Sequence, residues 1–458
     1  MEGQETFRWR GGFCMEVMPL PIRLVVFGAN GDLAQRKLFP ALYQLHRSGL
    51  LHERSRIIAC ARTAKDLTGL YPPDFTDRID AISGDSFDPS VRAALKAHLE
   101  TLKEACPLPS ENVFYLSLPS DIYMDLLDVL SADGILTETT RVVLEKPFGS
   151  DLASASAFDD RLHRILREEQ IFRIDHYLGK ETVQNLFFFR FANRLFEPLW
   201  NREHIESVRI TVSETLGVEK RAKYFDRTGI VRDMVQNHML ELMSLVAMEK
   251  PRSFTADALH DEKTKLIRAI QPLKKENILC GQYAGYREEP DVDPASGTET
   301  FFAARLAVEN ERWRGVPFDL SCGKKLAEKR TAIEVRFWRQ EESIFPGIPA
   351  DALVQNKLVF SIQPQEGLSL TIQAKHPGPK LCMGALDMNF NYASLSGENM
   401  PDAYERLLLD AMLDDRMLFI RSDSIRAAWE LLDPVQAMKG EPVIYEAGST
   451  GPAVAFFR

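Results

Sequence analysis

Ile22-Arg-Leu-Val-Val-Phe27, running into Gly28-Ala-Asn-Gly31-Asp-Leu-Ala34, is the stretch whose reading decides the fold. Its first six residues are mostly apolar and β-branched, the pattern of a strand buried on both faces. Leu38, Leu42 and Leu45 then recur on one side at helical spacing. Strand, glycine turn and helix form the context in which a glycine-rich turn becomes informative. Gly28 permits the tight turn, Gly31 lets a pyrophosphate approach the backbone, and Ala34 keeps the helix close to the strand. The helix N-terminus then faces the phosphates with unpaired N–H groups. The spacing GxxGxxA is looser than GxGxxG, so a purely structural turn competes with this reading until more of the chain is placed.

Outward from that turn, the same alternation repeats. Arg56–Ala61 reads as a second strand with Arg62 at its end. An acid there would suit the ribose hydroxyls of NAD, whereas an arginine suits the 2′-phosphate of NADP. Val113–Leu118 and Arg141–Lys146 are further buried-type strands, separated by helical Ser120–Leu130, and helical Asp151–Arg167 leads to Ile171–Asp175. This predicts an α/β Rossmann domain with a doubly wound parallel sheet over residues 21–174. Ligands of such sheets sit at the carboxyl ends of the strands, where Gly28, Arg62, Lys146 and Asp175 all fall.

After Lys180 the pattern changes. Ser207–Ser213 alternates like a half-buried strand, and Thr300–Val308, Thr331–Trp338, Lys357–Ile362 and Leu368–Ala374 follow without regular helices between them. Helical patterns recur at Glu181–Phe191, whose Phe187-Phe-Phe189 patch reads as core, and at Thr255–Ile270, Asp402–Asp414 and Ser424–Leu432. Residues 175–458 are therefore expected to form an α+β domain with a large, mainly antiparallel sheet. Residues 1–20 read as a leader outside both domains.

Composition narrows the function. A net charge of -10 argues against nucleic acid as the main partner, so an anionic ligand would need a local basic pocket. Six scattered cysteines without CxxC or Cys/His spacing favour free thiols in a reducing compartment and no metal site. No apolar run approaches the roughly 20 residues that span a bilayer. The expected location is the cytoplasm.

Two stretches carry chemistry. Arg173-Ile-Asp-His-Tyr-Leu-Gly-Lys180 gathers a carboxylate, an imidazole, a phenol and an ammonium at a strand exit, groups suited to holding an anion and positioning a proton carrier. Gly229–Leu245 is the strongest helical pattern, with Val231, Met234, Val235, Leu242 and Leu245 on one face and His238 among them. A histidine on an apolar face is more often a satisfied core residue. An imidazole is also the side chain best suited to taking a proton near neutral pH, provided that a carboxylate holds its tautomer. Asp175 is the candidate.

Taken together, GANGDLAQRKLFPALY (Gly28–Tyr43), EKPFG (Glu145–Gly149), RIDHYLGKETVQN (Arg173–Asn185), RFANRLFEPLWN (Arg190–Asn201), KYFDRTGIVRDMVQNH (Lys223–His238), RWRGVPFDLSCGKKL (Arg312–Leu326) and PDAYERLLLDAM (Pro401–Met412) resemble the glucose-6-phosphate 1-dehydrogenases. The resemblance runs from about Pro21 to Arg458. It implies oxidation of glucose 6-phosphate at C1 to 6-phosphoglucono-1,5-lactone, the first step of the oxidative pentose phosphate pathway. His238 would be the general base and Asp175 its orienting carboxylate. It further implies sugar-phosphate contacts from Lys146, His176, Tyr177, Lys180, Glu214, Asp226, Lys324, Lys329 and Gln363. Coenzyme contacts would come from Gly28, Ala29, Asn30, Gly31, Asp32, Leu33, Gln35, Arg62, Tyr123 and Lys146. NADP is the implied coenzyme, with NAD weaker, and a homodimer the implied assembly, with a tetramer as the larger alternative. Gln35 stands where the family often has Lys, and Ser321 where an Arg commonly precedes the Cys-Gly-Lys segment. Glu334 and Ser361 occupy positions where some members carry basic residues for a second, structural NADP, so no second coenzyme is expected. The rival readings are another Rossmann-type sugar dehydrogenase and a non-catalytic NADP sensor on the same fold. A phosphate-free sugar would not need the basic cluster, and a sensor would not need Asp175, Lys180 and His238 together.

Overall fold

The structure, a computed structural model, describes residues 19–63, 69–379, 382–392 and 401–457. The chain first lays down β1 (Ile22–Phe27), β2 (Arg56–Ala61), β3 (Ile79–Ser83), β4 (Glu111–Leu116), β5 (Arg141–Leu144) and β6 (Ile171–Ile174). A second series follows: β7 (Ile205–Ser213), β8 (Ile278–Tyr283), β9 (Phe301–Ala307), β10 (Pro317–Gly323), β11 (Arg330–Phe337), β12 (Lys357–Gln363), β13 (Gly367–Lys375) and β14 (Met383–Asn391). β15 (Phe419–Ile420) and β16 (Val443–Tyr445) close the chain.

The first sheet has the order β15-β6-β5-β4-β1-β2-β3. β1 is buried along its whole length, because helices cover both faces of a parallel sheet. Parallel pairing puts the ends of β1, β2, β4, β5 and β6 on one edge. The chain leaves that edge at Gly28, Arg62, Ser117, Glu145 and Asp175. β15 comes from the far end of the sequence and pairs antiparallel with β6, its Phe419 ring set 4.8 Å from Phe172. The last strand of the nucleotide half is thereby fixed from outside the 21–174 segment.

The second sheet has the order β14-β13-β12-β11-β7-β10-β9-β8-β16. It is mainly antiparallel, yet β7 pairs with β10 in parallel. That exception positions the site: the two strands end side by side, so Glu214 and Lys324 leave them as neighbours, with the Glu214 N–H donating to the Gly323 carbonyl at 2.9 Å.

Between the sheets lies the segment that carries His238. Gly229 has φ +71, and a Cβ there would come within 2.5 Å of Glu299 Oε1. The preceding helix turns at this residue, and the chain resumes as a π-helical stretch, Val231–Met239, then an α-helix, Leu240–Ala247. The sequence predicts one apolar face. The structure instead buries this segment nearly all round, because β10 and the helices Glu181–Phe191, Ala256–Arg268 and Ser422–Met438 pack against it from different sides. The Phe187-Phe-Phe189 patch also departs from expectation. Phe187 is core, but Phe188 is 55% exposed, since three consecutive helical residues cannot share one face.

Candidate active site

The glycine turn is strung between two strand ends. The Cys60 carbonyl accepts from both the Gly28 and Ala29 N–H groups, at 3.0 and 3.1 Å. Gly28 has φ +76, and a Cβ on it would lie 2.1 Å from the Ser117 carbonyl; no other residue fits. The chain is helical from Asp32, and its first-turn N–H groups have no carbonyl one turn earlier to bond. Asn30, Asp32 and Arg62 are exposed at this edge and Leu33 is half-buried; the backbone N–H groups of Asp32 and Leu33 and the Arg62 guanidinium are donors that fit a pyrophosphate and an adjoining phosphate. Two expected contacts have other work. Gln35 Nε2 donates to the Ala29 carbonyl at 2.7 Å and braces the turn from within. Tyr123 is 1% exposed, its hydroxyl donating to the Leu116 carbonyl.

Two separate elements bring Asp175 and His238 together: β6 delivers one and the π-helical stretch delivers the other. His238 Nδ1 and Asp175 Oδ1 are 2.5 Å apart, and both side chains are 1% exposed. Asp175 Oδ1 also accepts from the Tyr177 N–H at 2.9 Å. A carboxylate at Nδ1 selects the tautomer with its proton there, leaving Nε2 as the acceptor. Nε2 accepts from Lys146 Nζ at 2.9 Å. Burial, reinforced by Lys146, holds the imidazole well below its usual range, so it is an unprotonated base. The Tyr177 ring is stacked on the imidazole at 4.3 Å. Donor atoms of Asp175, His176 and His238 lie within 4.8 Å of one another, but the 2.5 Å contact is a hydrogen bond that occupies Nδ1. The trio reads as a proton carrier.

Lys146, at the end of β5, also donates to the Asp233 carbonyl at 2.8 Å and lies 3.4 Å from Asp233 Oδ1. Burial alone would raise Asp233; Lys146, Arg221 and Lys324 outweigh it and bring the carboxyl down to about 2. Asp233 therefore stays charged and ties Lys146 to the second domain. Sequence reasoning passed over this residue. It stands five positions before His238, a spacing that π-helical winding turns to the same side and α-helical winding does not, so a 3.6-residue period gives no sign of it.

The remaining residues gather on the far side of the dyad. The His176 ring is 4.9 Å from His238. Burial and that neighbour lower it to about 3, so it is a neutral donor rather than the cation expected of a basic cluster. Lys180 is half-buried and lowered by burial, with Glu366 and Asp402 opposing and Lys329 and Lys37 adding repulsion. Ammonium groups pressed together in this way favour an anion among them. Lys329 is exposed just before β11, and Gln363 ends β12 opposite Thr331. Lys324 Nζ donates to Glu214 at 2.6 Å and lies over the Phe225 ring. Its support comes from these two, with Ser321 turned to Thr211. Asp226 already accepts from Tyr286 and Ser296 hydroxyls, which makes it a brace for the loop.

On the near side, a cavity of about 970 Å³ opens at the ends of β5 and β6. Lys146, Phe148, Asp175, Asp233 and Leu240 line it, whereas His176, Lys180 and Lys324 do not. Asp175 thus borders a roomy cavity, whereas His238 itself does not line it.

The pattern described as glucose-6-phosphate dehydrogenase, NAD binding domain matches residues 25–71 and 71–185, and the C-terminal domain of the same family matches residues 187–456. The chain belongs to the glucose-6-phosphate dehydrogenase family. The glucose-6-phosphate 1-dehydrogenase of Rhizobium meliloti (strain 1021) is 40% identical, with 96% of each chain covered. A solved glucose-6-phosphate dehydrogenase in complex with its substrate glucose 6-phosphate is 34% identical, with a TM-score of 0.89 over 96% of this chain and 97% of that one. The glucose-6-phosphate 1-dehydrogenase from Mycobacterium avium gives 36% and 0.80, covering 94% and 96%. The match to an NAD binding domain makes this a family of nicotinamide-dependent oxidoreductases. Among the described residues, no helix is long and apolar enough to cross a membrane.

Proposed function

We propose that this chain oxidises D-glucose 6-phosphate at C1 to 6-phospho-D-glucono-1,5-lactone with NADP, the opening step of the oxidative pentose phosphate pathway. The observation that carries the reading is His238, its Nδ1 fixed by Asp175 and its unprotonated Nε2 accepting from Lys146. When bound, the nicotinamide supplies the hydride acceptor. His238 Nε2 takes the proton of the C1 hydroxyl, which requires Lys146 to give up its bond to that atom and donate to the ligands instead. Asp175 stabilises the imidazolium that results. Lys180, Lys329, His176 and Tyr177 hold the phosphate, so binding energy far from C1 positions the reacting carbon. Glu214, Lys324, Asp226 and Gln363 serve the sugar.

Residues Gly28–Leu33 would hold the coenzyme pyrophosphate, and Arg62 the 2′-phosphate, which favours NADP over NAD. Glu334 is paired with Arg336, and the Ser361 carbonyl accepts from Thr182, so neither offers a cation to a second coenzyme. Leu386 and Met388 on β14 are about half exposed, an apolar outer strand that supports a homodimer through the second sheet; a tetramer is the other outcome of a mass measurement by light scattering. Free Cys60, Cys106, Cys280, Cys322 and Cys382 support the cytoplasm.

The test is nicotinamide reduction by the purified chain with glucose 6-phosphate or glucose, each with NADP and with NAD. Rapid reduction with the phosphate sugar and NADP, and little with glucose, is expected. NADP binding without reduction would move the sensor reading to the front.

A further inference from the structure

One helix from the far end of the chain is fastened to the edge of the site and has no part in the chemistry above. It runs Ala403–Leu413 and is held along β5 at both ends. Arg141, which opens β5, donates to the Ala411 and Met412 carbonyls at 3.0 and 2.9 Å, satisfying two of the last carbonyls, which have no partner within the helix. Glu145, which follows β5, accepts at Oε1 from the Tyr404 hydroxyl at 3.1 Å and from the Tyr115 hydroxyl at 2.6 Å. Tyr115 belongs to β4 and is fully buried, and Tyr404 is 8% exposed.

The first turn of this helix touches two further parts of the site. Asp402 caps it, one oxygen accepting from the Tyr404 N–H at 3.0 Å. Its other oxygen accepts from Lys37 at 2.7 Å, in the helical stretch that follows the glycine turn. A Cβ on Gly179 would lie 2.6 Å from the Ala403 carbonyl oxygen, so the residue before Lys180 rests directly on the helix backbone. The glycine-turn helix, the loop that carries Lys180 and Glu145 thus share one support.

Glu145 is the part of that support nearest the reaction. Its peptide bond leads into Lys146, whose Nζ donates to His238 Nε2 at 2.9 Å and to the Asp233 carbonyl at 2.8 Å. Burial pushes the Glu145 carboxyl up, the Tyr115 and Tyr404 hydroxyls and Lys146 pull it down, and Asp175 adds to the rise. One hydroxyl comes from the nucleotide sheet and the other from outside it, so the side chain is held from two directions. Proton transfer tolerates little misplacement of the groups that take part. We propose that Tyr404 is a positioning residue: its hydroxyl anchors Glu145 and so sets where the next residue, Lys146, presents its ammonium to His238. This rests on the dyad reading above. Wild-type turnover of glucose 6-phosphate is therefore the control; if that is absent, the proposed function fails before this inference is reached.

The experiment is steady-state kinetics of four variants beside the wild type, with circular dichroism to show that each is folded. Tyr404→Phe keeps the packed ring and removes only the hydroxyl. It is expected to lower kcat by about 10- to 100-fold, the scale of a small misplacement of reacting groups. KM for glucose 6-phosphate stays within about threefold of the wild type, because binding is not what is lost. Glu145→Met removes the acceptor and lowers kcat to a similar extent. Glu145→Gln keeps an acceptor for both hydroxyls and recovers roughly tenfold of what Glu145→Met loses. The double variant Tyr404→Phe/Glu145→Met is no slower than the slower single variant, because two changes that break the same link do not add. If the Glu145 variants do not fold, the split between kcat and KM in Tyr404→Phe decides alone. A kcat within about twofold of the wild type in Tyr404→Phe, or a change confined to KM, would overturn the proposal. So would losses that multiply in the double variant, since Tyr404 would then act on the helix and not through Glu145.

Discussion

His238 and His260 sit on neighbouring packed helices, 1% and 2% exposed. Burial depresses both: His260 goes down to about 3, and His238 falls well below its ordinary value. Their ring nitrogens differ. His238 gives Nδ1 to Asp175 and receives Lys146 at Nε2, whereas neither nitrogen of His260 has a hydrogen-bond partner among the described residues. Desolvation makes an imidazole neutral; a fixed tautomer whose lone pair meets a displaceable donor makes it a base. Burial and a shifted pKa therefore do not identify a catalytic histidine. The partners do.

The comparison breaks most visibly on substitution. His238→Asn is expected to lower kcat by about 10³- to 10⁴-fold, the upper range for a general base, while His260→Asn stays within about threefold in assays of the folded protein. Equal losses would erase the distinction. Asp175→Asn keeps the shape but presents an amide to Nδ1, and a loss of about 10²- to 10³-fold in kcat is expected, with sugar-phosphate affinity retained in calorimetry. Lys180→Ala asks whether the basic cluster beside His238 anchors the phosphate. KM for glucose 6-phosphate should rise by about 10- to 100-fold, the worth of one charge-assisted contact, with a smaller change in kcat; a loss confined to kcat would place Lys180 elsewhere in the mechanism. The smallest effect concerns His260 alone. Its folded pKa is depressed below the unfolded 6.5, so the unfolded chain gains a proton that the folded chain refuses, and stability is lost as pH falls below about 6.5. His260→Phe removes this penalty. Relative to its value at pH 8, its stability should exceed the wild type's by about 1.4 kcal/mol at pH 5.5, read by denaturant titration at both pH values. An unchanged difference would show that His260 takes up its proton in the folded state.

Much of this was legible in the residues. β1, β2 and the helix Glu181–Phe191 begin and end where apolar periodicity and the glycine turn put them, because each is decided by local pattern. β3, β8, β10, β14 and β16 were missed. Charged or small residues interrupt their apolar runs, as Asp319 does in β10, and Arg305 on the facing strand neutralises it. That compensation exists only once the strands are paired. β15 was invisible for a related reason: two residues from the far end of the chain complete the first sheet. Within the site, the histidine and carboxylate were found as residue types, and the resemblance joined them. Asp233 was not found, since a 3.6-residue period does not describe a π-helical stretch.

The most direct test of the central claim supplies glucose 6-phosphate deuterated at C1, with NADP, to the wild type and to His238→Asn, and weighs the coenzyme by mass spectrometry. The account predicts deuterium in the reduced coenzyme from the wild type and almost none from the variant in the same time. Reduced coenzyme without deuterium, or labelling at similar rates in both proteins, would contradict it.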